Sequence, residues 1–215
     1  MAALTLNVDA FWTSPYAFSA FVALKEKGLA FDVVPVALHE GEHRRPEALA
    51  TSLTGRVPVL RHQGFSLSES SAIDEYLEDT FPSPAYPRLF PADVRERARA
   101  RQLMAWVRSD LMPIRQERPT TGLFYEGVEV APLSSAAEAA ARHLMAVAGA
   151  LITQGLTTLF AAFCIADADL ALMLQRLLWN GYAAEDKLEA YVDAVWARPS
   201  VRAWLEQKRP PYIPY

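Results

Sequence analysis

A chain of 215 residues, 52% of them hydrophobic, is long enough to bury a core in one large domain or two small ones. Its formal net charge of −4, with both signs interspersed, argues against a nucleic-acid-binding surface. Apolar runs such as residues 144–152 are shorter than the ~20 residues that span a bilayer. With Cys164 as the single cysteine and no leader pattern, we expect a cytoplasmic protein without a membrane partner.

The first 82 residues alternate strand and helix signals. Four short apolar segments predict strands: residues 4–8, 31–38, 57–62 and 65–67. Two apolar-periodic segments predict helices: 15–27, which ends at Gly28, and Ser71 to about Thr80. The first two strands and the helix between them form a predicted β-α-β unit. Because Gln63-Gly64 is a turn pair, the last two strands are expected to form a hairpin.

The pattern changes after residue 82. Four prolines in residues 81–91 disfavour both helix and ladder pairing, which is typical of a linker. Four helical patterns follow: 92 to about 112, 134–154, 166–180 and 185–206. We therefore predict an α/β domain of residues 1–82, a linker of residues 83–91 and an all-α domain of residues 92–215.

Ser14 stands immediately before Pro15 at the start of the first predicted helix. Proline suits the first helical position because its missing N–H is unpaired there anyway, so Ser14 is a natural N-cap. Its hydroxyl either only satisfies a backbone N–H or donates to an anion, such as a thiolate, at the positive end of the helix dipole. Both interpretations stay open, and neighbouring Thr13 is an alternative hydroxyl.

Val57-Pro58 opens an apolar strand, where proline normally interrupts the ladder. An extended Val57 before a cis bond turns its N–H and C=O outward, where an extended peptide can pair with them as an added strand does. An ordinary proline at a strand start is the alternative.

Four serines and Glu69 crowd residues 66–71, at the start of the second predicted helix. Unpaired N–H groups at a helix start bind carboxylates, and Glu69 can pair with an ammonium, so the cluster suits an α-amino acid head group. A capping box of Ser71 with Asp74 is the simpler explanation, but it leaves Glu69 without a role.

The three features together fit a ligand with an amino-acid end, an extended peptide middle and a nucleophilic atom near Ser14, a description that glutathione meets. The chain resembles the cytosolic glutathione S-transferase superfamily over nearly its whole length, through TSPYAFSAFVALKEKGLAF, GEHRRPEALA, GRVPVL, LSESSAIDEYLED, FCIADADLAL and RPSVRAWLE. It is most similar to the bacterial YfcF-type, serine-type branch, through RARARQLMAWVRSDLMPIRQERPT and CIADADLAL.

The resemblance implies a fold and a glutathione site. The N-terminal domain is expected to be thioredoxin-like, with a mixed four-stranded sheet, and the C-terminal domain all-helical. Pro58 is expected in the cis form, with Val57 pairing with the cysteinyl backbone of glutathione. Glu69 and Ser70 are expected to hold the γ-glutamyl head group. Ser14 is expected to donate to the sulfur.

The remaining site residues implied by the resemblance are more distant from the sulfur. His43 and Arg56 are expected to approach the glycyl carboxylate. A small hydrophobic acceptor substrate is expected near Trp106, Met112 and Phe124 of the helical domain. The resemblance also implies a homodimer and no metal.

The activity implied by the resemblance is conjugation of the glutathione thiolate to electrophiles, as in detoxification, or reduction of organic peroxides. A glutathione-dependent isomerase shares the same site. A non-catalytic binding or regulatory module of the same fold is an alternative of a different class, although such a module has no need for a complete head-group clamp.

Several motifs need a separate explanation. Residues 39–43, HEGEH, match a zinc-protease pattern, but that pattern requires a helix, and Gly41 and Pro46 predict a loop. Residues 164–167, CIAD, are interpreted as a folding signal at a helix start, with Cys164 structural. The C-terminal PPYIPY either lines the acceptor site or packs on the surface.

Overall fold

The computed structural model describes residues 4–128 and 130–214. The chain divides into two compact units: the first runs up to Leu89 and includes the residues from Ala203 onward, and the second is Phe90–Arg202. None of the helices in the described part is long and apolar enough to cross a membrane.

A four-stranded mixed sheet forms the centre of the first unit. Its strands are β1 Leu4–Asp9, β2 Asp32–Val36, β3 Val59–His62 and β4 Phe65–Ser68, in the order β2-β1-β3-β4. β1 runs parallel to β2 and antiparallel to β3, which pairs antiparallel with β4. The predicted sheet is therefore confirmed, with Gln63 and Gly64 both at positive φ in the hairpin turn.

The helices of the first unit are α1 Pro15–Glu26, the single turn α2 Pro46–Leu49 and α3 Ser70–Thr80, with 3-10 turns at Leu38–Glu40 and Glu42–Arg44. α1 and α3 pack together and bury Phe18, Phe21, Ile73 and Leu77. Trp204, from the returning end of the chain, contacts the rings of α1.

A buried ion pair ties α1 to α3 and to the segment that follows. Lys27 Nζ lies 2.6 Å from Glu78 Oε2 and donates to the carbonyl of Phe81 at 2.8 Å. The same Glu78 oxygen accepts the N–H of Leu89 at 2.8 Å. Lys27 is 1% exposed, so these acceptors replace water around its ammonium group.

Replacing Lys27 with methionine is expected to lower the free energy of unfolding by about 2–3 kcal/mol, because it leaves a largely buried carboxylate without its cation. Urea unfolding followed by fluorescence measures the loss. The double variant Lys27→Met/Glu78→Gln keeps an acceptor for the N–H of Leu89 and is expected to recover part of the lost free energy of unfolding. Equal stabilities of Lys27→Met and the unmodified protein would contradict the role of the pair.

The second unit is helical, as predicted. Its helices, the last of which extends into the first unit, are α4 Val94–Ser109, α5 Met112–Glu117, α6 Thr121–Phe124, α7 Ser135–Leu151, α8 Ile165–Leu178, α9 Asp186–Trp196 and α10 Pro199–Leu205. The single helix predicted over 185–206 is wrong, because Pro199 has no N–H to continue α9 and instead begins α10. The short helices α2, α5 and α6 were not predicted.

Asp167 organises the start of α8. One carboxylate oxygen accepts the N–H of Cys164 at 2.8 Å, and the other accepts the N–H of Leu159 at 2.7 Å and the hydroxyl of Tyr191 at 3.0 Å. Burial raises the pKa of Asp167, although these hydrogen bonds oppose the shift. Burial also raises the pKa of the Cys164 thiol well above its usual value, so this thiol stays protonated at neutral pH and is structural.

Candidate functional site

Asp9, the last residue of β1, holds the loop that leads into α1. Its Oδ2 accepts the N–H of Thr13 at 2.7 Å and the Thr13 hydroxyl at 3.0 Å, while Oδ1 accepts the N–H of Ser14 at 3.0 Å. Trp12, between them, has φ +55. Asp9 is 1% exposed, so its hydrogen-bond donors come from this loop and not from bulk water. Asp9 was not among the predicted site residues, although a carboxylate shortly before Thr-Ser-Pro is typical of a residue that caps a turn.

The two candidate hydroxyls of this loop have different surroundings. Ser14 is the N-cap of α1, as predicted, and its Oγ accepts the N–H of Ala17 at 3.2 Å. Ser14 is half-buried, and its hydroxyl proton has no acceptor in the part of the chain that the structure describes. Thr13 is 7% exposed, and its hydroxyl donates to Asp9. Only Ser14 therefore retains a proton to donate to a ligand.

Val57 and Pro58 precede β3. Their peptide bond is cis, as the resemblance implies, and Pro58 is buried. The N–H and C=O of Val57 make no hydrogen bond within the described residues. Ser52 Oγ fixes the preceding residue, because it accepts the N–H of Arg56 at 3.2 Å and donates to its C=O at 3.1 Å. This role of Ser52 was not predicted either.

The start of α3 lacks a side-chain cap. Glu69 is the N-cap, is exposed, and has φ +72 and ψ 115, a conformation that a residue with a side chain rarely adopts. Ser70 follows as the first helical residue and is buried. The capping box of Ser71 with Asp74 is wrong, because Ser71 already lies inside the helix and Asp74 is buried, accepting the Ser19 hydroxyl at 3.4 Å. Among the described residues, the first N–H groups of α3 therefore have no acceptor, which leaves them available to a ligand.

Sheet topology brings these features to one end of the first unit. β1 ends at Asp9, and its antiparallel neighbour β3 begins at Val59, directly after Val57 and Pro58. β4 is antiparallel to β3 and therefore ends at the same side, just before Glu69 and α3. The Ser14 loop, the Val57 main chain and the start of α3 consequently share one sheet end.

His43 lies in the second 3-10 turn, next to the segment that carries Arg56. The His43 carbonyl lies 3.8 Å from the position that a Cβ on Gly55 would occupy. Arg44 Nε donates to His43 Nε2 at 3.2 Å. Burial and the Arg44 charge lower the pKa of His43 below 6.5, so the imidazole is neutral at neutral pH. Arg56 is exposed.

A neutral His43 gives a pH prediction. If His43 lies beside an anionic group of glutathione, the affinity of the unmodified protein relative to that of His43→Gln is expected to be flat above a pH of 6.5 and to rise as pH falls through the lowered pKa, where the imidazole gains its charge. Titration calorimetry with reduced glutathione measures this dependence. His43→Gln is expected to remove the rise at low pH and to leave the affinity at neutral pH nearly unchanged. A change in the affinity ratio of the unmodified protein to His43→Gln that is centred above the ordinary histidine pKa would contradict the prediction.

The predicted acceptor residues lie on three separate helices. Trp106 is on α4, where its Nε1 donates to Asp110 at 3.2 Å and its ring contacts His143. It lines a cavity of about 220 Å³ between α4 and α7, which neither Met112 nor Phe124 lines. Met112 begins α5 and is 46% exposed, and Phe124 ends α6. A second cavity, of about 340 Å³, is lined by none of the three residues.

The structure also gives the positions of the HEGEH motif, residues 39–43, and of the C-terminal tail. Gly41, at φ +72, separates His39 and His43 into two 3-10 turns, so they do not share a helix face. Within residues 4–128 and 130–214, no group of three or more His, Cys, Asp or Glu side chains is placed to hold a metal. In the C-terminal tail, Tyr212 packs edge-on against Phe11, with ring centroids 5.2 Å apart.

Two sequence profiles match the two halves of the chain. Residues 13–80 match the profile described as the N-terminal domain of glutathione S-transferase, and residues 93–208 match the profile described as its C-terminal domain. The chain belongs to the cytosolic glutathione S-transferase superfamily. The mixed sheet followed by a helical unit is the glutathione S-transferase fold.

Individual relatives of this glutathione S-transferase family member include a glutathione transferase homologue from Burkholderia GL BGR1, solved with bound glutathione. That structure is 44% identical, with a TM-score of 0.80, over 94% of this chain and 96% of its own. Maleylacetoacetate isomerase of Pseudomonas aeruginosa is 40% identical over 112 residues, or 51% of each chain. Glutathione S-transferase 1 of Dianthus caryophyllus is 38% identical over 109 residues, or 51% of this chain and 48% of that one. The chain spans about half the length of these curated relatives.

Proposed function

We propose that this protein binds glutathione at the sheet end formed by the Ser14 loop, Val57 and the start of α3, and that it uses the thiolate as a nucleophile. The observation that carries the proposal is the state of two neighbouring hydroxyls: the Thr13 hydroxyl donates to Asp9, whereas the Ser14 hydroxyl has its proton available. The glutathione bound to the Burkholderia homologue supports the choice of ligand.

Binding uses groups that the fold leaves unpaired. The N–H and C=O of Val57 pair with the cysteinyl main chain, as in an added strand. The γ-glutamyl carboxylate accepts the N–H groups of Ser70 and the next residues of α3, where the helix dipole favours an anion. Glu69 pairs with the γ-glutamyl ammonium, and the positive φ of Glu69 supports a functional reason for its conformation. His43 and Arg56 approach the glycyl carboxylate.

Ser14 makes the thiol reactive. A thiol with a pKa of ~8.5 is only a few per cent ionised at neutral pH, and the thiolate is the nucleophile. Lowering this pKa by about two units requires ~2.7 kcal/mol of preferential stabilisation of the anion. One hydrogen bond from the Ser14 hydroxyl to sulfur, at ~1.5–3 kcal/mol, together with a helix-dipole contribution of ~0.3–1 kcal/mol, has the required size.

The thiolate then attacks an electrophilic carbon, forming a C–S bond as the leaving group departs. With an organic peroxide, the thiolate attacks the terminal oxygen and the O–O bond breaks, which gives glutathione sulfenic acid and an alkoxide that takes a proton from water and leaves as the alcohol. The thiol of a second glutathione then reacts with the sulfenic acid to give the disulfide and water. Trp106, Met112 and Phe124 are proposed to contact the acceptor. The chain is proposed to belong to the YfcF-type branch and to be cytoplasmic.

Isomerisation is the second candidate reaction, and the similarity to maleylacetoacetate isomerase favours it. In that case the thiolate adds to a conjugated double bond, the carbon–carbon bond rotates, and the thiolate leaves again, so glutathione is not consumed. The same Ser14 contact serves both reactions.

Calorimetry and turnover together test the proposal. Reduced glutathione is expected to bind and to raise the melting temperature, and chlorodinitrobenzene, cumene hydroperoxide and maleylacetoacetate are the acceptors to assay. Net loss of thiol indicates transfer or peroxide reduction, whereas product formation without thiol loss indicates isomerisation. Binding without turnover of any acceptor would identify a non-catalytic module, and absence of binding at millimolar ligand would refute the proposed site.

A homodimer is also proposed, with the α/β unit of one copy against the helical unit of the other. The resemblance to the family is the basis of this proposal, and Leu53, an apolar side chain that is 97% exposed, is the residue chosen to test it. Light scattering is expected to give twice the chain mass, and Leu53→Asp is expected to shift the population toward monomer. Leu156→Asp, at another exposed leucine, is the control, and a monomeric unmodified protein would exclude the dimer.

A further inference from the structure

Asp9 is a buried carboxylate with both oxygens committed to one short loop. It accepts two N–H groups and one hydroxyl, at 2.7, 3.0 and 3.0 Å, all from Thr13 and Ser14. Its own carbonyl accepts the N–H of Trp12 at 3.0 Å, which closes the turn from the other side. The loop is thus attached to the end of β1 by four hydrogen bonds.

These bonds determine which hydroxyl faces a ligand. Asp9 accepts hydrogen bonds from the Thr13 hydroxyl and from the N–H of Ser14. The second bond fixes the Ser14 backbone at the start of α1. The Ser14 Oγ lone pair is taken by Ala17, so its proton must point away from the helix. We infer that Asp9 is a positioning residue that makes Ser14, and not Thr13, the donor to the glutathione sulfur. The inference rests on the proposed function.

Positioning and electrostatics predict opposite effects at this site. The Asp9 carboxylate accepts the N–H of Ser14, the residue proposed to contact the sulfur, and its negative charge repels a thiolate. Removal of this charge alone is therefore expected to lower the pKa of the bound thiol. Loss of positioning instead releases the Ser14 hydroxyl and raises that pKa toward the value of free glutathione. The direction of the change therefore separates the two roles.

Asp9→Asn is the test variant, because it keeps the shape but presents an amide N–H₂ where one oxygen accepted an N–H or a hydroxyl. The pKa of the bound thiol, read from its ultraviolet thiolate absorbance, is expected to rise. The kcat/KM at neutral pH is expected to fall about tenfold or more. A lowered or unchanged thiol pKa in folded, glutathione-binding Asp9→Asn protein would overturn the inference.

Thr13→Val is the matched control. It removes the hydroxyl that donates to Asp9 but keeps the Thr13 N–H, so kcat/KM is expected to change by less than about threefold. A large rise of the thiol pKa in Thr13→Val would make Thr13 the sulfur donor and overturn the inference. Ser14→Ala separates the two roles. If it leaves the thiol pKa unchanged, the proposed role of Ser14 as the sulfur donor fails, and the role of Asp9 fails with it. If Ser14→Ala raises the thiol pKa and Asp9→Asn does not, only the role of Asp9 is rejected.

Amide hydrogen exchange of the unmodified protein provides a test that does not depend on Asp9→Asn folding. The Thr13 and Ser14 N–H groups lie outside regular helix and strand hydrogen bonding, yet both donate to Asp9. They are expected to exchange about tenfold or more slowly than the exposed N–H groups of other loops. Exchange of both at the rate of an unprotected loop would contradict the positioning role.

Discussion

Replacing Asp167 with alanine is expected to lower the free energy of unfolding by about 3–5 kcal/mol. The substitution removes the acceptor of three donors: the N–H groups of Cys164 and Leu159 and the hydroxyl of Tyr191. Asp167 is 0% exposed, so water does not readily replace the lost acceptor. The start of α8 and the loop before it both depend on this one carboxylate. Urea unfolding of the full chain, followed by circular dichroism, measures the loss.

Two further substitutions serve as controls for Asp167→Ala. Tyr191→Phe removes only one of the three donors and is expected to cost about 1 kcal/mol. Cys164→Ser places a better N-cap at the start of α8 and is expected to be neutral or to stabilise by up to about 1 kcal/mol. If Asp167→Ala costs no more than Tyr191→Phe, the two N–H contacts contribute little and the capping role is wrong.

The elements that sequence predicted are those with strong local signals. The hairpin followed from Gln63-Gly64 between two apolar runs, and the end of α1 followed from Gly28, which adopts φ +68. The Ser14 N-cap followed from the proline after it. Each signal spans only a few residues, so it can be recognised without the tertiary structure.

Contacts between distant or unusual residues could not be predicted in the same way. The Ser14 loop depends on Asp9 at the end of a buried strand, and a carboxylate before Thr-Ser-Pro indicates a turn without showing which N–H and hydroxyl groups it accepts. The start of α3 was misplaced by one residue because Glu69, at positive φ, is not a residue type that normally begins a helix. The acceptor residues were chosen by resemblance alone, and the structure places them on three helices.

Sheet topology explains why one site can be assembled from three weak signals. A serine before proline, a Val-Pro step and a serine-rich helix start each have an ordinary structural explanation. The antiparallel order β1-β3-β4 brings the end of β1, the start of β3 and the end of β4 to the same side. The unpaired groups at that side are a hydroxyl proton, a main-chain pair and a helix start, which match the chemistry along an extended thiol peptide.

Replacing Ser14 with alanine is expected to reduce kcat/KM at neutral pH by about ten- to 150-fold, through loss of one hydrogen bond to a charged sulfur at ~1.5–3 kcal/mol. The pKa of bound glutathione is expected to rise by about one to two units for the same reason. Most of the deficit is expected to disappear at alkaline pH, because the thiol then ionises without help. Binding affinity for the protonated thiol is expected to change little, since Val57 and α3 hold the rest of the tripeptide.

A structural effect of Ser14→Ala must be separated from this chemical one, because Ser14 also caps α1 through Ala17. Loss of the cap costs about 1 kcal/mol of stability but does not move the pKa of a bound thiol. Ser14→Asn is the matched control, because asparagine is an equally good N-cap and offers only a weaker neutral amide donor. If Ser14→Asn restores stability while the thiol pKa stays raised, the hydroxyl acts on sulfur. If both variants keep the thiol pKa of the unmodified protein, the thiolate is stabilised by the helix dipole and main chain alone, and Ser14 is only a cap.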